Sequence, residues 1–250
     1  MKNIFSKILL FSALFIVISG FGDWYIEKII TNSTHEGMEK VWIKGDFYKS
    51  KSNQYSVVYN SKTDSLRYEN HHLRSYWAGS FAEWKAEIDS KKPIHSQSKD
   101  KKRSKKKSSK AKTIVLIKPM NDSLEIAGLM GQKYIVIVNG EPKEEFFFYR
   151  RSIYKEQTFN RINQIKDAFQ VAKTKYRQTK DYVDFIKKGL VLKRIIMNKD
   201  GLFMDDMEMM TINSEEIDPT VFNVPDNYQP LPLEQLLNAQ KFTEEPQIRK

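Results

Sequence analysis

The sequence predicts an α+β protein built mainly from antiparallel strands. Between residues 23 and 78, short segments of alternating apolar residues follow one another, and the gaps between them leave no room for helical crossovers. Strands return after residue 112, and the amphipathic helices interrupt the strand series instead of alternating with single strands. This order is typical of α+β folds, so we expect a curved sheet or half-barrel with helices packed on its concave face.

The first half of the chain contains predicted strands followed by one helix. The predicted strands are 24–30, 41–48, 55–59, 66–68 and 75–77, and in 41–48 and 55–59 the residues alternate as in a half-buried strand. Ser80 is a favourable N-cap for a helix that runs to about Ser90. Phe81, Trp84 and Ile88 fall on one face of that helix, which predicts that this face is buried.

The second half repeats the pattern with longer helices. The predicted strands are 113–118, 124–126, 134–138, 144–149, 191–197 and 202–212. Asn139-Gly140 is the strongest hairpin signal in the chain. We expect helices at 155–176, 181–188 and 233–241, with Gly189 as the C′ residue that ends the second of them.

Residues 1–22 have the features of a secretory signal peptide. Two lysines accompany an apolar stretch of 14 residues, and Gly20 and Gly22 are the small residues that signal peptidase requires. We therefore predict cleavage between Gly22 and Asp23. A retained membrane anchor is the alternative, but the apolar stretch is shorter than the roughly 20 residues that span a bilayer.

The absence of cysteine limits what an exported chain of this kind can be. Lipidation requires a cysteine at the cleavage site, so a lipoprotein is excluded, and disulfides are excluded as well. We expect a protein of the periplasm or cell envelope that is soluble after signal cleavage and not lipidated. The predicted parts are one β-rich domain at 23–241, a disordered basic insertion at 91–112 within it, and a tail at 242–250.

The positive charge is concentrated in residues 91–112, which we name the basic segment. It holds eleven Lys and Arg residues against Asp100 alone, whereas the rest of the chain after residue 22 has a net charge of about −1. An anionic membrane, an anionic glycan or an acidic protein would suit this charge, and a solvated loop without a partner is the alternative. Nucleic acid is not expected, because the segment has no aromatic residue to stack on bases. The candidate contact residues are Lys101, Lys102, Arg103, Lys105, Lys106 and Lys107.

Two clusters resemble metal sites but have simpler interpretations. Adjacent residues on a strand point to opposite faces, so His71 and His72 could not readily bind one ion there, and we expect them to be exposed loop histidines. Methionine thioethers can bind Cu(I), and four methionines crowd one predicted strand. Because Met207 and Met209 share one face while the charged neighbours take the other, we expect core methionines and no metal. The crowded strand contains Met204, Asp205, Asp206, Met207, Glu208, Met209 and Met210.

No sequence pattern indicates catalysis. The chain has no nucleophile elbow and no glycine-rich phosphate loop. Glu144 and Glu145 are adjacent carboxylates, and paired carboxylates can perform acid–base chemistry. Neighbours on a strand point apart, so we expect a charge pair on an edge strand. We therefore expect no enzyme, no catalytic residue and no cofactor.

Four parts of the chain resemble one known family. They are 37–46 (GMEKVWIKGD); 126–129 with 133–136, Asn139-Gly140 and 144–146; 189–193 with 198–201; and 222–228 (FNVPDNY). Together they are similar to a bacterial exported domain of unknown function that is grouped with the LolA-like lipoprotein-sorting fold. The resemblance covers most of residues 24–235. It implies an antiparallel half-barrel wrapped around helices, with an apolar hollow that takes acyl chains and with no catalytic residues. The basic segment is not part of the family's pattern.

Two functional hypotheses from different classes remain open. The first is an exported cell-envelope protein that binds a lipid or another hydrophobic ligand in its hollow. The second is a structural or interaction protein of the envelope that uses the basic segment as its contact. An empty apolar cavity inside the sheet favours the first, and a solid core favours the second.

Overall fold

Strands dominate the described part of the chain, which in this computed structural model comprises residues 22–32, 35–91, 113–169, 175–197 and 203–243. The strands are β1 (Trp24–Asn32), β2 (His35–Lys44), β3 (Phe47–Lys51), β4 (Tyr55–Asn60), β5 (Ser65–Asn70), β6 (Ser75–Ser80), β7 (Val115–Ile126), β8 (Leu129–Val138), β9 (Glu141–Tyr149), β10 (Leu190–Met197), β11 (Phe203–Asn213) and β12 (Gln229–Pro230). The α-helices are α1 (Phe81–Lys91), α2 (Glu156–Phe169), α3 (Lys180–Ile186) and α4 (Leu233–Thr243), and 3₁₀ helices lie at Lys175–Gln178 and Pro219–Phe222.

All twelve described strands belong to one open sheet with the order β12-β6-β5-β4-β3-β2-β1-β11-β10-β9-β8-β7. Each neighbouring pair is antiparallel except β12 with β6. Strand β1 joins two sequential meanders, because Tyr25 pairs with Trp42 of β2 on one side and with Asn213 of β11 on the other. The prediction of a mainly antiparallel α+β fold is confirmed, and one large open sheet is consistent with a curved one.

One face of the sheet, here named the covered face, shares a single hydrophobic core with all four α-helices. Residues in register across neighbouring strands form rows on this face, such as Ile43, Tyr48, Tyr59 and Leu66. Large aromatic side chains fill the core. Those less than 2% exposed are Trp84, Tyr48, Tyr59, Tyr68, Tyr134, Phe81, Phe146 and Phe148.

The opposite face, here named the back face, is covered over β2 to β5 by the segment that follows β11. Ile217 and Phe222 from this segment form a small apolar cluster with Val58. Lys49 donates to the carbonyl oxygen of Val221 at 2.8 Å, and Arg67 donates to that of Phe222 at 2.6 Å. Lysine and arginine thus attach the segment to the sheet through its backbone.

The start of α1 agrees with the sequence. The backbone N–H of Glu83 donates to the Ser80 hydroxyl at 3.1 Å, and the Glu83 carboxylate accepts from the backbone N–H of Ser80 at 2.7 Å. This is a reciprocal capping box, which satisfies two N–H groups that a helix start otherwise leaves unpaired. The capping box fixes the residue at which α1 begins, and from this start Phe81 and Trp84 fall on the buried side of the helix.

Two predicted strands have different boundaries. The segment 41–48 is not one strand, because Gly45 and Asp46 form a turn between β2 and β3, and Gly45 takes a left-handed φ of +56°. Conversely, the segments 113–118 and 124–126 form the single strand β7. An irregularity in pairing between Pro119 and Ser123 accommodates the polar residues that separate the two segments in the sequence.

Of the helix predicted at 155–176, Glu156–Phe169 forms α2, residues 170–174 lie outside the described part of the chain, and Lys175 and Tyr176 belong to the 3₁₀ helix Lys175–Gln178 instead. Gly189 is not the C′ residue predicted for α3, because Lys187 is the C-cap and Lys188 follows it, and Gly189 does not take a left-handed φ. A Cβ atom there would lie 2.1 Å from the Tyr149 oxygen and 2.6 Å from Cζ of Phe148. The close approach of the chain to β9 therefore requires glycine. Residues 198–201, which connect the predicted strands 191–197 and 202–212, lie outside the described residues.

The two edges of the sheet differ. At one edge β12 covers β6, because the N–H of Gln229 donates to the Arg74 oxygen at 3.1 Å and the N–H of Leu231 to the Tyr76 oxygen at 2.8 Å. At the other edge, β7 pairs with β8 alone among the described strands.

None of the described helices combines the length and the apolar character needed to cross a bilayer.

Candidate functional site

Most of the residues that the sequence singles out for binding lie outside the described part of the chain. This applies to Lys101, Lys102, Arg103, Lys105, Lys106 and Lys107, and to residues 1–21. At the predicted cleavage position, Gly22 and Asp23 are described. The Asp23 carboxylate accepts from the Lys44 ammonium at 2.9 Å and from the backbone N–H of Ile217 at 3.1 Å, so it links β2 to the segment on the back face.

The covered face contains a buried charged group, here named the Glu144 cluster. Tyr182 donates to Oε1 of Glu144 at 2.5 Å, Tyr176 donates to Oε2 at 2.8 Å, and Nε of Arg177 donates to Oε2 at 2.8 Å. The Glu144 side chain is fully buried. The members of the Glu144 cluster are Glu144, Tyr176, Arg177, Tyr182, Arg194 and Asp206.

Asp206 lies between the two arginines of the cluster. Nη1 of Arg194 is 3.6 Å and Nη1 of Arg177 is 3.8 Å from its Oδ2, distances that are too long for good hydrogen bonds. Nε of Arg194 is buried without a hydrogen-bond partner, at 4.0 Å from the nearest oxygen of Glu144. The cluster is therefore well bonded at Glu144 and loosely bonded at Arg194.

Strand alternation and irregular pairing bring these residues together. Glu144 has the same phase as Phe146 and Phe148, whose side chains lie in the core, so its carboxylate points into the covered face. Pairing between β10 and β11 shifts beside Arg194, where Arg194 pairs with Met207 and Ile195 with Asp205. This shift leaves Asp206 buried, although simple alternation places it on the solvent side with Glu208 and Met210.

The electrostatics of the cluster hold its groups in fixed protonation states. Burial acts to raise the pKa of the Glu144 carboxyl, but the charges of Arg177 and Arg194 and the tyrosine hydrogen bonds outweigh it and lower the pKa. Burial raises the pKa of Tyr176 and of Tyr182. These shifts move all three groups away from neutral pH. The cluster is thus suited to fixing the 3₁₀ helix and α3 against the sheet and poorly suited to proton transfer.

A second buried ion pair lies on the covered face across β1, β2 and β3. Nζ of Lys28 is 3.1 Å from Oε2 of Glu39, and the Ser50 hydroxyl donates to Oε1 of Glu39 at 2.6 Å. Burial, followed by the charge of Glu39, raises the pKa of Tyr154. Met209 pairs with Lys28 in the sheet. The part of the core that carries buried charge therefore runs from β3 to β9.

Both histidines lie in the turn after β5, as expected of loop residues, but only one of them is exposed. His72 faces solvent, whereas Nε2 of His71 is 2.9 Å from the Ser56 hydroxyl and Nδ1 is 2.7 Å from the Tyr228 hydroxyl. The expectation of an exposed loop side chain is thus wrong for His71. Ser56 is fully buried, so this serine–histidine contact has no open side for a substrate. Its effect is to attach Tyr228 to the sheet.

The other two sequence clusters divide between the faces. Met207 and Met209 are buried in the main core and Met210 is exposed, as strand alternation predicts. Glu144 and Glu145 point apart as expected, and Glu145 forms an ion pair with Lys133 at 2.8 Å on the back face. They do not lie on an edge strand, because β9 pairs with both β8 and β10. In the described residues, no three His, Asp or Glu side chains are grouped so that they could hold a metal ion.

A small recess opens between the β2–β3 turn and α2. It is lined by Ile43, Gly45, Phe47, Ile153 and Thr158, among others, and its volume is ≈ 10 Å³. That volume holds roughly one water molecule and no acyl chain.

Sequence reasoning did not identify the Glu144 cluster. The available signal was a glutamate in phase with Phe146 and Phe148 of an apolar strand.

Comparisons with known proteins give distant likenesses only. No protein-family model matches the chain, and no curated protein matches it. An uncharacterised conserved protein from Thermus thermophilus is 6% identical with a TM-score of 0.42, over 84% of this chain and 90% of that one. MucB is 9% identical with a TM-score of 0.38, over 82% of this chain and 58% of that one. PNGF-II is 9% identical with a TM-score of 0.35, over 87% of this chain and 32% of that one. At these identities and TM-scores, they assign neither a family nor a function.

Proposed function

We propose that this chain is a non-catalytic interaction protein of the cell envelope that contacts an anionic partner through the basic segment. The observation that carries the proposal is the burial of many aromatic side chains in the core. Aromatic side chains such as Trp84, Tyr134 and Phe146 occupy the space between the sheet and the helices and are almost completely buried. A core of this kind supports a rigid platform for a contact made elsewhere on the chain.

The charge distribution supports the same proposal. The buried charges of the described core are paired in sign, with Arg177 and Arg194 facing Glu144 and Asp206, and Lys28 facing Glu39. The excess positive charge of the sequence is in the basic segment, where each lysine near an anionic surface contributes about 1 kcal/mol. Attraction of this type is screened over about 8 Å at physiological ionic strength, so it acts at short range.

A LolA-like half-barrel that binds a lipid or acyl chain is the second candidate. One sheet with α-helices sharing the core of a single face supports it, because such folds bind their ligands between the two layers. The methionines Met207 and Met209 in that core are adaptable in shape and can yield to a ligand. In that case the ligand must displace side chains that are packed together in this structure.

Replacing residues 92–112 by a linker of glycine and serine tests the first candidate. We expect loss of envelope association in cell fractionation, with a melting temperature close to that of the unmodified chain. A variant in which the six candidate contact residues are changed to glutamine keeps the length of the segment and serves as the matched charge control. Retention of both variants in the envelope fraction would contradict the proposal.

Native mass spectrometry of the purified, unmodified chain separates the two candidates. A lipid bound in a one-to-one complex, retained after deletion of residues 92–112, would favour the half-barrel carrier. A ligand-free mass, together with binding to anionic surfaces that high salt abolishes, would favour the interaction protein.

A further inference from the structure

Exposed apolar side chains are concentrated at the free edge of the sheet. Of ten large hydrophobic side chains exposed in the described residues, five lie on β7, immediately before it or at the adjoining start of β8. They are Ile114 (66% exposed), Leu116 (46%), Met120 (38%), Leu124 (43%) and Met130 (57%). A grouping of this kind at one edge indicates a contact surface, whereas scattered single residues do not.

The half of this edge nearest the basic segment is held rigidly. The backbone N–H of Ile114 donates to Oδ1 of Asn139 at 2.9 Å, and the backbone N–H of Asn139 donates back to the Ile114 oxygen at 2.9 Å. Leu116 pairs with Ile137 of β8, which fixes its side chain on the back face. The fold therefore presents Ile114 and Leu116 to solvent from an ordered backbone.

The backbone of β7 is unfavourable for pairing with a further strand. Pro119 has no N–H to donate, and the pairing irregularity between Pro119 and Ser123 interrupts the regular spacing of hydrogen bonds. Lys118 adds an exposed charge at the same place. Natural edge strands use these three devices to prevent strand addition. The occupant of the apolar edge is thus not another strand, whether from a second copy or from a peptide.

We propose that the near half of the apolar edge, Ile114, Leu116 and Met120, inserts into the interface of an anionic lipid bilayer. This inference rests on the proposed function and names the anionic partner of the basic segment as a lipid surface. The basic segment ends at Lys112, and only Thr113 separates it from Ile114, so cationic and apolar residues meet at one place in the chain. Positive charge next to exposed apolar side chains is the combination that peripheral membrane proteins use, and the apolar part gives contact that salt does not screen.

The far half of the edge has the opposite charge environment. Leu124 and Met130 lie beside the exposed carboxylates of Asp122 and Glu125, which an anionic bilayer repels. Substituting Leu124 and Met130 therefore provides a matched control, because this change removes a similar apolar area from the same strand pair.

Sedimentation with vesicles tests the inference on the full chain as purified after export. The vesicles contain equal parts of phosphatidylglycerol and phosphatidylcholine, with pure phosphatidylcholine vesicles as the uncharged control. We expect the double variant I114S/L116S to bind the anionic vesicles about tenfold more weakly, because two aliphatic side chains no longer enter the interface. L124S/M130S should bind like the unmodified chain. Ile114→Trp should bind severalfold more tightly, since tryptophan favours the bilayer interface.

The outcomes separate this inference from the proposed function. If deletion of residues 92–112 abolishes vesicle binding while I114S/L116S binds normally, the basic segment acts alone and the membrane edge is refuted. If the unmodified chain binds an anionic polysaccharide such as heparin but not the vesicles, the partner is a glycan and the lipid inference is overturned. Equal weakening by I114S/L116S and L124S/M130S would also overturn it, since no half of the edge would then be special. Ile114→Trp keeps the test decisive if a serine variant does not fold.

Discussion

The hydroxyl of Tyr182 on α3 donates a hydrogen bond of 2.5 Å to Oε1 of Glu144 on β9, inside the core. The same carboxylate binds Arg177, and its Oε1 lies 4.0 Å from Nε of Arg194, so it is a counter-charge for two buried guanidinium groups. Replacing Glu144 by leucine leaves both arginines buried without their main counter-charge. We expect a loss of about 3–5 kcal/mol in the free energy of unfolding, measured by urea denaturation.

Glu145, the next residue along the strand, is the matched control for that substitution. Its carboxylate pairs with Lys133 on the back face, where both side chains retain some solvent contact. Glu145→Leu should cost less than about 1 kcal/mol. Equal losses for the two variants would show that the Glu144 cluster has no special role in stability.

The stability of the chain should fall in acid through Glu144. The pKa of its carboxyl is held below its ordinary value, so the unfolded chain binds a proton at a pH where the folded chain does not. The contribution of Glu144 is therefore fully present above the unfolded pKa of about 4.5 and is lost as the pH falls below it. Urea midpoints measured from pH 7 down to pH 3 should decline less steeply for Glu144→Gln than for the unmodified chain. Parallel curves would contradict the assignment.

His71 should add a second pH dependence at higher pH. Burial, and then the charge of Lys51, lowers the pKa of its imidazole below the ordinary value of 6.5. A histidine with a lowered folded pKa stabilises the protein above the unfolded pKa, and this contribution is lost as the pH falls from about 6.5. His71→Gln retains hydrogen-bonding groups but cannot take up the proton, so its melting temperature should change less between pH 7.5 and 5.5. The exposed His72→Gln serves as the control and should behave like the unmodified chain.

Gly189 should not tolerate a side chain. A methyl group there would meet the Tyr149 oxygen and the Phe148 ring at distances that no relaxed contact allows. We expect Gly189→Ala to lower the free energy of unfolding by about 1–3 kcal/mol or more, since the backbone of β9 must move. Gly140→Ala provides the contrast, because its surroundings are open and only its left-handed φ of +89° opposes alanine, at about 1–2 kcal/mol. A smaller loss for Gly189→Ala than for Gly140→Ala would contradict the steric account.

Local sequence signals predicted the fold well where the structure depends on near neighbours. The capping box at Ser80 and Glu83 and the hairpin at Asn139-Gly140 are set by a few adjacent residues, and both form, the latter with two left-handed residues. The predicted strands 55–59 and 144–149 also fall within β4 and β9. Patterns of this kind fail at turns that keep the alternation in phase, such as Gly45 and Asp46.

The buried charged group was beyond local reasoning for a physical reason. Alternation indicates that Glu144 points inward, but the partners that permit its burial come from the 3₁₀ helix, α3, β10 and β11. A buried carboxylate is stable only with such partners, and their meeting is a property of the complete fold. The same holds for His71, which is covered by Tyr228 from a remote part of the chain.

The position of β1 in the sheet has a consequence for how the protein folds. In the meander from β2 to β6 and in the meander from β7 to β11, short connections join most of the strands, which can therefore pair early, although residues 150–189 separate β9 from β10. Joining the two meanders requires Tyr25 to pair with Asn213, which lies near the opposite end of the chain. A large loop must therefore close before the contacts between β1 and β11 can stabilise the sheet. Until then the open sides of β1 and β11 are unpaired strand edges, the kind of surface that promotes aggregation. Pairing of β1 with β11 is thus the step at which we expect folding of the sheet to be slowest and most exposed to aggregation.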